Sequence, residues 1–121
     1  ETEVVMSYDD PLGVTAAFNK NLLIRLNREL DGDFDADTFD HHVVWNAEAS
    51  GVESYLVSRA EQLVCLRGVG CCLELAEGEA LWTESSHKYE TDAFVEMGER
   101  AGFSLRQQWI EPASSFAGVI I

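Results

Sequence analysis

The stretch that decides the fold reads Leu81-Trp82-Thr83-Glu84-Ser85-Ser86-His87-Lys88-Tyr89. It follows a series of short strand-like segments and leads directly into a helical pattern. Because strand side chains alternate between faces, we expect Trp82, Glu84 and Ser86 to share one face of a strand. A carboxylate beside a hydroxyl, next to an aromatic wall, can hold a small polar ligand that carries N–H groups. The alternative is a solvated strand end, because isolated polar residues on a strand usually face water.

Upstream of this stretch, hydrophobic and polar residues follow the period of two that is typical of a β-strand. The strand-like segments cover residues 41–49, 52–58, 62–67 and 71–75, with short turns between them. Successive short strands with short connections predict an antiparallel β-meander. His41 and His42 are neighbours on the first of these strands and would point apart. They are therefore poor joint metal ligands, and we expect them to be structural or solvated.

A long amphipathic helix is predicted before the strands. Apolar residues recur every four positions, which predicts one apolar face over residues 14–30. The members of this face are Val14, Phe18, Leu22, Leu26 and Leu30, with Ala17 and Leu23 alongside. The polar side would carry Asn19, Asn21, Arg25, Arg28 and Glu29. Asp10 or Thr15 would cap the N-terminus, and Gly32 would end the helix.

After Tyr89 the pattern is helical again. A helix that starts at Glu90 or Thr91 would end at Gly102. Its predicted buried stripe consists of Phe94, Met97, Gly98 and Ala101. Residues 103–110 and 116–121 read as two further strands, joined by a turn at residues 112–115. The predicted class is therefore α+β.

The acidic run at residues 31–40 suggests a calcium loop, which we tested against the EF-hand pattern. Starting from Asp31, Ala36 stands where glycine is required and His42 where glutamate is required; the register from Asp33 also fails. We therefore predict a loop with one short helical turn, capped by Asp35 or Asp37. Phe34 and Phe39 would anchor this loop to the core.

Charge and composition restrict the function. The formal charge of -14 argues against nucleic acid and anionic membranes as partners, since both are bound through basic residues. A small cationic or zwitterionic ligand is compatible with this charge. No apolar run approaches the length of a membrane span, and the N-terminus lacks the basic segment of a signal peptide.

The cysteines are Cys65, Cys71 and Cys72, an odd number with two adjacent members. Neighbouring strand residues point apart, and no C-x-x-C spacing is present, so a disulfide framework and a zinc site are both disfavoured. We predict buried, reduced thiols in a cytoplasmic protein. The chain also has no glycine-rich phosphate loop and no other known cofactor motif.

Three blocks of sequence occur together in one order. They are Tyr8-Asp9-Asp10 with Gly13-Val14-Thr15-Ala16-Ala17-Phe18-Asn19-Lys20-Asn21, then Asn27-Arg28-Glu29-Leu30 with Asp33-Phe34-Asp35, then Gly78-Glu79 with Thr83-Glu84-Ser85-Ser86 and Lys88-Tyr89. This arrangement closely resembles the histidine-specific, S-adenosylmethionine-dependent methyltransferases of ergothioneine biosynthesis. The resemblance runs from Tyr8 to Ile121 and needs almost no gaps.

The resemblance implies the C-terminal portion of such an enzyme. Residues 1–88 would be the substrate-binding accessory domain. Residues 89–121 would be the closing helix and antiparallel strand pair of a class I methyltransferase sheet, whose other strands and S-adenosylmethionine site lie outside this chain. Strands 103–121 would then pair with the missing methyltransferase half or with another copy. The chain alone would bind no cofactor.

The family reaction is three successive methyl transfers to the α-amino nitrogen of L-histidine. By resemblance, Tyr8 contacts the backbone groups of the amino acid, while Glu84 and Ser86 hold its imidazole ring. Ser54 stands where the family usually has a pocket-lining methionine, and His87 where a cysteine is more common. The alternative is a non-enzymatic module that binds an amino acid or a partner without the cofactor half.

Overall fold

The computed structural model describes residues 2–113 and 116–121. It divides the chain into two compact units, one that ends at His87 and one that begins at Lys88. The described residues form three α-helices and antiparallel strand pairs, which confirms the predicted α+β class. In the same residues no helix is both long enough and apolar enough to cross a membrane.

The elements of the first unit follow one another with short connections. In chain order they are α1 (Thr2–Tyr8), α2 (Val14–Leu30), β1 (Phe39–Asn46), β2 (Gly51–Ser58), β3 (Gln62–Leu66), β4 (Cys71–Leu75) and β5 (Ala80–His87). Short 3-10 turns lie at Ala36–Thr38 and Arg67–Val69. Helix α1 was not predicted from the sequence, whereas α2 has the predicted bounds.

The strands pair in an order that differs from a simple meander. One sheet has the order β1-β2-β5, and β3 pairs with β4 in a separate hairpin. The two ends of this hairpin lie side by side at the edge of the sheet. There the Gly78 N–H donates to the Ser58 carbonyl at 2.8 Å, and the Ser58 N–H donates to the Glu79 carbonyl at 2.9 Å. Strand β2 is therefore central, and its alternate residues Val52, Ser54, Leu56 and Ser58 are buried.

The core of this unit lies where α2, the sheet and the hairpin meet. Its buried members are Leu23, Phe34, Phe39, Leu56, Val64 and Leu75. The rings of Phe34 and Phe39 lie 5.9 Å apart, centroid to centroid. The prediction that both phenylalanines anchor the acidic loop to the core is thereby confirmed.

Helix α2 buries only part of the predicted face. Leu23 and Asn19 are buried, whereas Val14, Phe18 and Leu22 are exposed. Leu23 packs into the core cluster, and Asn19 lies one helical turn before it on the same face. The helix ends at Leu30, and its C-cap is Asp31, in a left-handed conformation with φ 49°, and not the predicted Gly32.

The acidic loop uses its carboxylates within the fold. Asp35 caps the short turn, because its side chain accepts a hydrogen bond from the Asp37 N–H, as predicted. Asp33 accepts from the Cys65 N–H at 2.7 Å and from Arg67 at 2.6 Å. The backbone contact and then the guanidinium lower the pKa of Asp33.

The prediction of buried, reduced thiols is wrong. Cys65 and Cys72 face each other across β3 and β4 and form a disulfide, while Cys71 is free and exposed. Two residues at equal distances from a hairpin turn lie directly opposite each other on the paired strands. The prediction considered only the adjacent Cys71 and Cys72 and not this cross-strand pair. The cytoplasmic location stays a prediction.

The second unit consists of α3 (Thr91–Arg100), β6 (Gln107–Glu111) and β7 (Phe116–Ile120). The two strands are antiparallel, and Gly102 with φ 91° follows the helix. Met97 is 46% exposed, so the predicted buried stripe of α3 is not buried. Large apolar residues are also exposed along residues 103–121; they include Phe103, Trp109, Ile110 and Phe116. The predicted turn at 112–115 lies partly outside the described residues.

Candidate functional site

Most of the stretch from Leu81 to Tyr89 lies in β5, but the alternation of its side chains between the two faces of the sheet is interrupted in the middle of the strand. Ser54 of β2 pairs with Glu84, and the next residue, Tyr55, pairs with Trp82, so Thr83 is an extra residue in a β-bulge. The Thr83 hydroxyl donates to the Ser54 carbonyl at 2.9 Å and fixes this irregularity. Paired residues share a face, so Glu84 lies on the face of Ser54 and Trp82 on the opposite one. The expected aromatic wall is therefore wrong: Trp82 is 65% exposed.

The inner face of the sheet brings Tyr8 and Ser86 together. Tyr8 is the last residue of α1, and its hydroxyl lies 2.7 Å from the Ser86 hydroxyl at partial burial. This hydrogen bond joins residues that are 78 positions apart in the chain. Glu84 and Ser86 lie on the same face of β5, where they pair with Ser54 and Val52 of β2. The predicted residues thus form one polar cluster of Tyr8, Ser54, Glu84 and Ser86.

A cleft of about 290 Å³ opens beside Glu84. Helix α2 forms one wall and β5 the other, and the lining residues are Phe18, Asn19, Asn21, Leu22, Arg25, Thr83 and Glu84. The cleft combines apolar surface with a carboxylate and a guanidinium. Such a mixture suits a small ligand that has an apolar body and charged or polar ends.

Ser54 is buried to 4% exposure at the centre of this face. Its neighbours across the sheet are Val43 on one side and Glu84 on the other. A buried serine here leaves more room than a longer side chain would, and it adds a hydroxyl group to the surroundings of Glu84.

Asp10 fixes the connection between α1 and α2. Its two carboxylate oxygens accept from the Val14 N–H at 3.0 Å and the Thr15 N–H at 2.7 Å. These contacts, with Thr15 the larger contribution, lower the pKa of Asp10 to about 2. The carboxylate is ionised at neutral pH, at the helix end that favours negative charge. The N-cap position itself is Gly13, and of the two predicted capping side chains Asp10 is the one that accepts from the N–H groups of the helix.

A second set of hydrogen-bonded polar residues, Asn46, Glu53 and Tyr55, lies on the outer face of the sheet. The Tyr55 hydroxyl donates to one oxygen of Glu53 at 2.5 Å, and the Asn46 amide donates to the other at 2.8 Å. The tyrosine contact and then the asparagine contact lower the pKa of Glu53, and Glu53 in turn raises the pKa of Tyr55. His87 also lies on this face, where its Nδ1 is 3.1 Å from the Ala49 carbonyl.

Two polar residues near the cluster were not recognised from the sequence. Asn19 was assigned to the solvent side of α2, and His41 was given no role beyond a structural or solvated one. In the structure the Asn19 amide lies 3.0 Å from His41 Nδ1, and His41 Nε2 lies 2.9 Å from the Tyr8 carbonyl. The signal that could have placed Asn19 is its spacing of four residues from Leu23.

The first unit is thus a small α+β unit that carries a half-buried polar cluster on the inner face of its sheet. Residues 1–121 match the family model of the histidine-specific, SAM-dependent methyltransferases, and the chain belongs to this family. It is 39% identical over 113 residues to the histidine N-alpha-methyltransferase of Mycolicibacterium smegmatis. It is 36% identical to that of Mycobacterium tuberculosis. The match covers 93% of this chain but only 35% of each of these relatives.

The described residues do not form the arrangement that binds nucleotide-containing cofactors in α/β domains. Nucleotide-containing cofactors of α/β domains bind at the carboxyl ends of parallel strands, beside a glycine-rich turn. The strand pairs in the described part of the chain are all antiparallel. We therefore assign no residue of this chain to S-adenosylmethionine and no step to the cofactor.

Proposed function

We propose that residues 2–87 form the substrate-binding part of a methyltransferase that acts on the α-amino group of L-histidine or a related amino acid. The observation that carries this proposal is the hydrogen bond between Tyr8 and Ser86. It joins Tyr8 to Ser86, which shares one face of β5 with Glu84, and these are the three residues assigned by resemblance. The family and the names of the two relatives supply the reaction and the substrate class.

The chemistry of the cluster suits an imidazole ring. Glu84 can only accept hydrogen bonds when ionised, whereas the Ser86 hydroxyl can donate and accept. A neutral imidazole has one N–H donor and one acceptor nitrogen, so this pair can satisfy both ring nitrogens. Tyr8 would then contact the amino or carboxylate group at the other end of the amino acid. Holding both ends fixes the direction of the α-amino nitrogen, which must be neutral to act as a nucleophile.

Titration calorimetry of the 121-residue chain with L-histidine tests the proposal. We expect binding by the wild-type chain. Because Glu84 is exposed, Glu84→Gln should weaken binding by about tenfold, the lower end for a hydrogen bond to a charged group. Glu74→Gln is the matched control, since Glu74 lies in β4, outside the sheet that carries the site. Binding unchanged by Glu84→Gln would refute the role of Glu84.

A second ligand separates recognition of the ring from recognition of the backbone groups. L-phenylalanine keeps the α-amino and carboxylate groups and the aromatic ring, but it lacks ring nitrogens. We expect it to bind at least about tenfold more weakly than L-histidine, because it offers Glu84 and Ser86 no ring nitrogen to bond with. Equal affinities for L-histidine and L-phenylalanine would show that the site does not recognise the imidazole ring.

Ser54 is the proposed determinant of pocket size. Ser54→Met should raise the preference for L-histidine over larger amino acids such as L-tyrosine, because the longer side chain fills space next to Glu84. The ratio of the two dissociation constants measures this preference. An unchanged ratio would mean that Ser54 does not line the ligand site.

We further propose that the 121-residue chain alone transfers no methyl group, because its described residues offer no cofactor site. An assay by mass spectrometry with S-adenosylmethionine and L-histidine should show no methylated product, and turnover would overturn this part. We place the reaction in ergothioneine biosynthesis on the resemblance alone. The exposed apolar residues of β6 and β7 support pairing of these strands with the rest of a methyltransferase sheet or with another copy.

A further inference from the structure

His41 is a half-buried residue of β1 that contacts both helices of the first unit. It pairs with Leu56 on the inner face of the sheet. Its Nε2 lies 2.9 Å from the backbone carbonyl of Tyr8, at the end of α1. Its Nδ1 lies 3.0 Å from the side-chain amide nitrogen of Asn19 in α2. One imidazole ring therefore connects β1 to α1 and to α2.

The contacts of Asn19 determine which ring nitrogen of His41 carries the proton. The amide nitrogen of Asn19 also lies 3.3 Å from the Tyr55 carbonyl, which can only accept. That nitrogen therefore donates to the carbonyl and, with its other hydrogen, to Nδ1 of His41. A ring that accepts at Nδ1 carries its hydrogen on Nε2, so His41 donates to the Tyr8 carbonyl. All three contacts are satisfied by this neutral tautomer.

Helix α1 is short and packs against β1 and β2. It has seven residues, and none of them is fully buried. A helix this short is unstable on its own, so its position depends on contacts with the sheet. The Tyr8 carbonyl accepts a hydrogen bond from His41, and the Tyr8 hydroxyl forms a hydrogen bond with the Ser86 hydroxyl. Fixing both ends of one residue sets the direction of the phenol ring.

We propose that His41, oriented by Asn19, is a positioning residue that holds Tyr8 in place for the ligand. This inference rests on the proposed function for the identity of the ligand, L-histidine. His41 acts through Tyr8 and makes no contact with the ligand itself. Its loss should therefore matter only as long as the Tyr8 hydroxyl is present.

Two conservative variants separate positioning from general stability. In His41→Gln the amide nitrogen reaches about as far as Nε2 and keeps a donor for the Tyr8 carbonyl. In His41→Asn the side chain reaches only as far as Nδ1, so the contact with Asn19 can persist while the contact with Tyr8 is lost. We expect His41→Gln to bind L-histidine within about twofold of wild type and His41→Asn to bind about fivefold more weakly. Equal losses in both variants would overturn the proposal.

A double-mutant cycle tests whether His41 acts through Tyr8. In a Tyr8→Phe background, His41→Asn should cause no further loss of affinity beyond about twofold. The same fivefold loss in both backgrounds would show that His41 only supports the fold, and would overturn the proposal. Thermal melting of each variant confirms that the compared chains are folded.

Amide hydrogen exchange provides a test without ligand. The Asp9 N–H donates to the Val5 carbonyl at 3.0 Å and reports on the last turn of α1. We expect its exchange to speed up at least about fivefold in His41→Asn and to stay near wild type in His41→Gln. If the wild-type chain does not bind L-histidine, the proposed function fails and this measurement alone decides the inference. Unchanged exchange in His41→Asn would overturn it.

Discussion

The two units of the chain both carry large apolar side chains, but only the first one buries them. Leu23, Phe39 and Leu56 are at most 1% exposed in the first unit. In the second unit no described residue is buried, and Trp109 is 50% exposed. The difference shows that an amphipathic pattern produces a core only where a second layer covers it. In the first unit, α2 and the β3–β4 hairpin supply that layer, and the polar cluster lies on the sheet that they cover.

Removing core volume should give the largest effect. Leu56→Ala creates a cavity at a fully buried position and should lower the free energy of unfolding by about 2–5 kcal/mol. Ile110→Ala in the second unit removes an exposed side chain and should change it by less than about 0.5 kcal/mol. Urea denaturation followed by circular dichroism measures both. Similar losses in the two variants would mean that the second unit has a core of its own.

Reduction of the disulfide should give the next largest effect. Cys65 and Cys72 are seven positions apart, and closing so short a loop stabilises a protein by about 2–3 kcal/mol in the chain-entropy account. Dithiothreitol should therefore lower the melting temperature of the wild-type chain. Cys71→Ser should retain this sensitivity to reductant, and Cys65→Ser should lack it. A wild-type melt that does not respond to reductant would contradict the pairing.

The Asp10 cap should give a smaller, pH-dependent effect confined to the first unit. The pKa of Asp10 is lowered to about 2 in the folded chain, from 3.8. The stabilisation is therefore complete above about pH 4 and disappears as the pH falls towards 2. Asp10→Ala should melt at a lower temperature than wild type at pH 7, and this difference should shrink as the pH is lowered to 2. A difference that stays constant with pH would contradict the role of the ionised carboxylate.

Exposed ion pairs should give the smallest effect, and it should be equal in the two units. Arg25 pairs with Glu29 in α2, and Arg100 pairs with Glu96 in α3, each at a spacing of four residues. Both pairs are well exposed, so water and salt weaken them. Arg25→Ala and Arg100→Ala should each shift the melting temperature by no more than about 2 °C. A clearly larger shift for either variant would place that pair in a more buried setting than the structure shows.

The sequence predicted the elements better than the contacts between them. The bounds of α2 and the capping role of Asp35 follow from local patterns, and these were confirmed. The buried face of α2 was predicted only in part, because residues such as Phe18 continue the apolar period on a side that the sheet does not cover. Helix α1 was missed because it is short and has no fully buried residue.

The site could be predicted in part. The shared face of Glu84 and Ser86 follows from strand alternation, but Trp82 was placed on the wrong side because a bulge at Thr83 changes the alternation. No local pattern shows such a bulge, since it arises from pairing with β2. The link from His41 to Tyr8 spans 33 positions and depends on how α1 packs, which the period of neither segment determines.

The most direct test of the account is an NMR titration of the ¹⁵N-labelled chain with L-histidine. The account predicts that amide shifts concentrate in the first unit, around Tyr8, Ser54, Glu84 and Ser86, while the amides of residues 88–121 stay unchanged. Shifts that concentrate in the second unit, or no shifts at saturating histidine, would contradict the claim that the first unit holds the substrate.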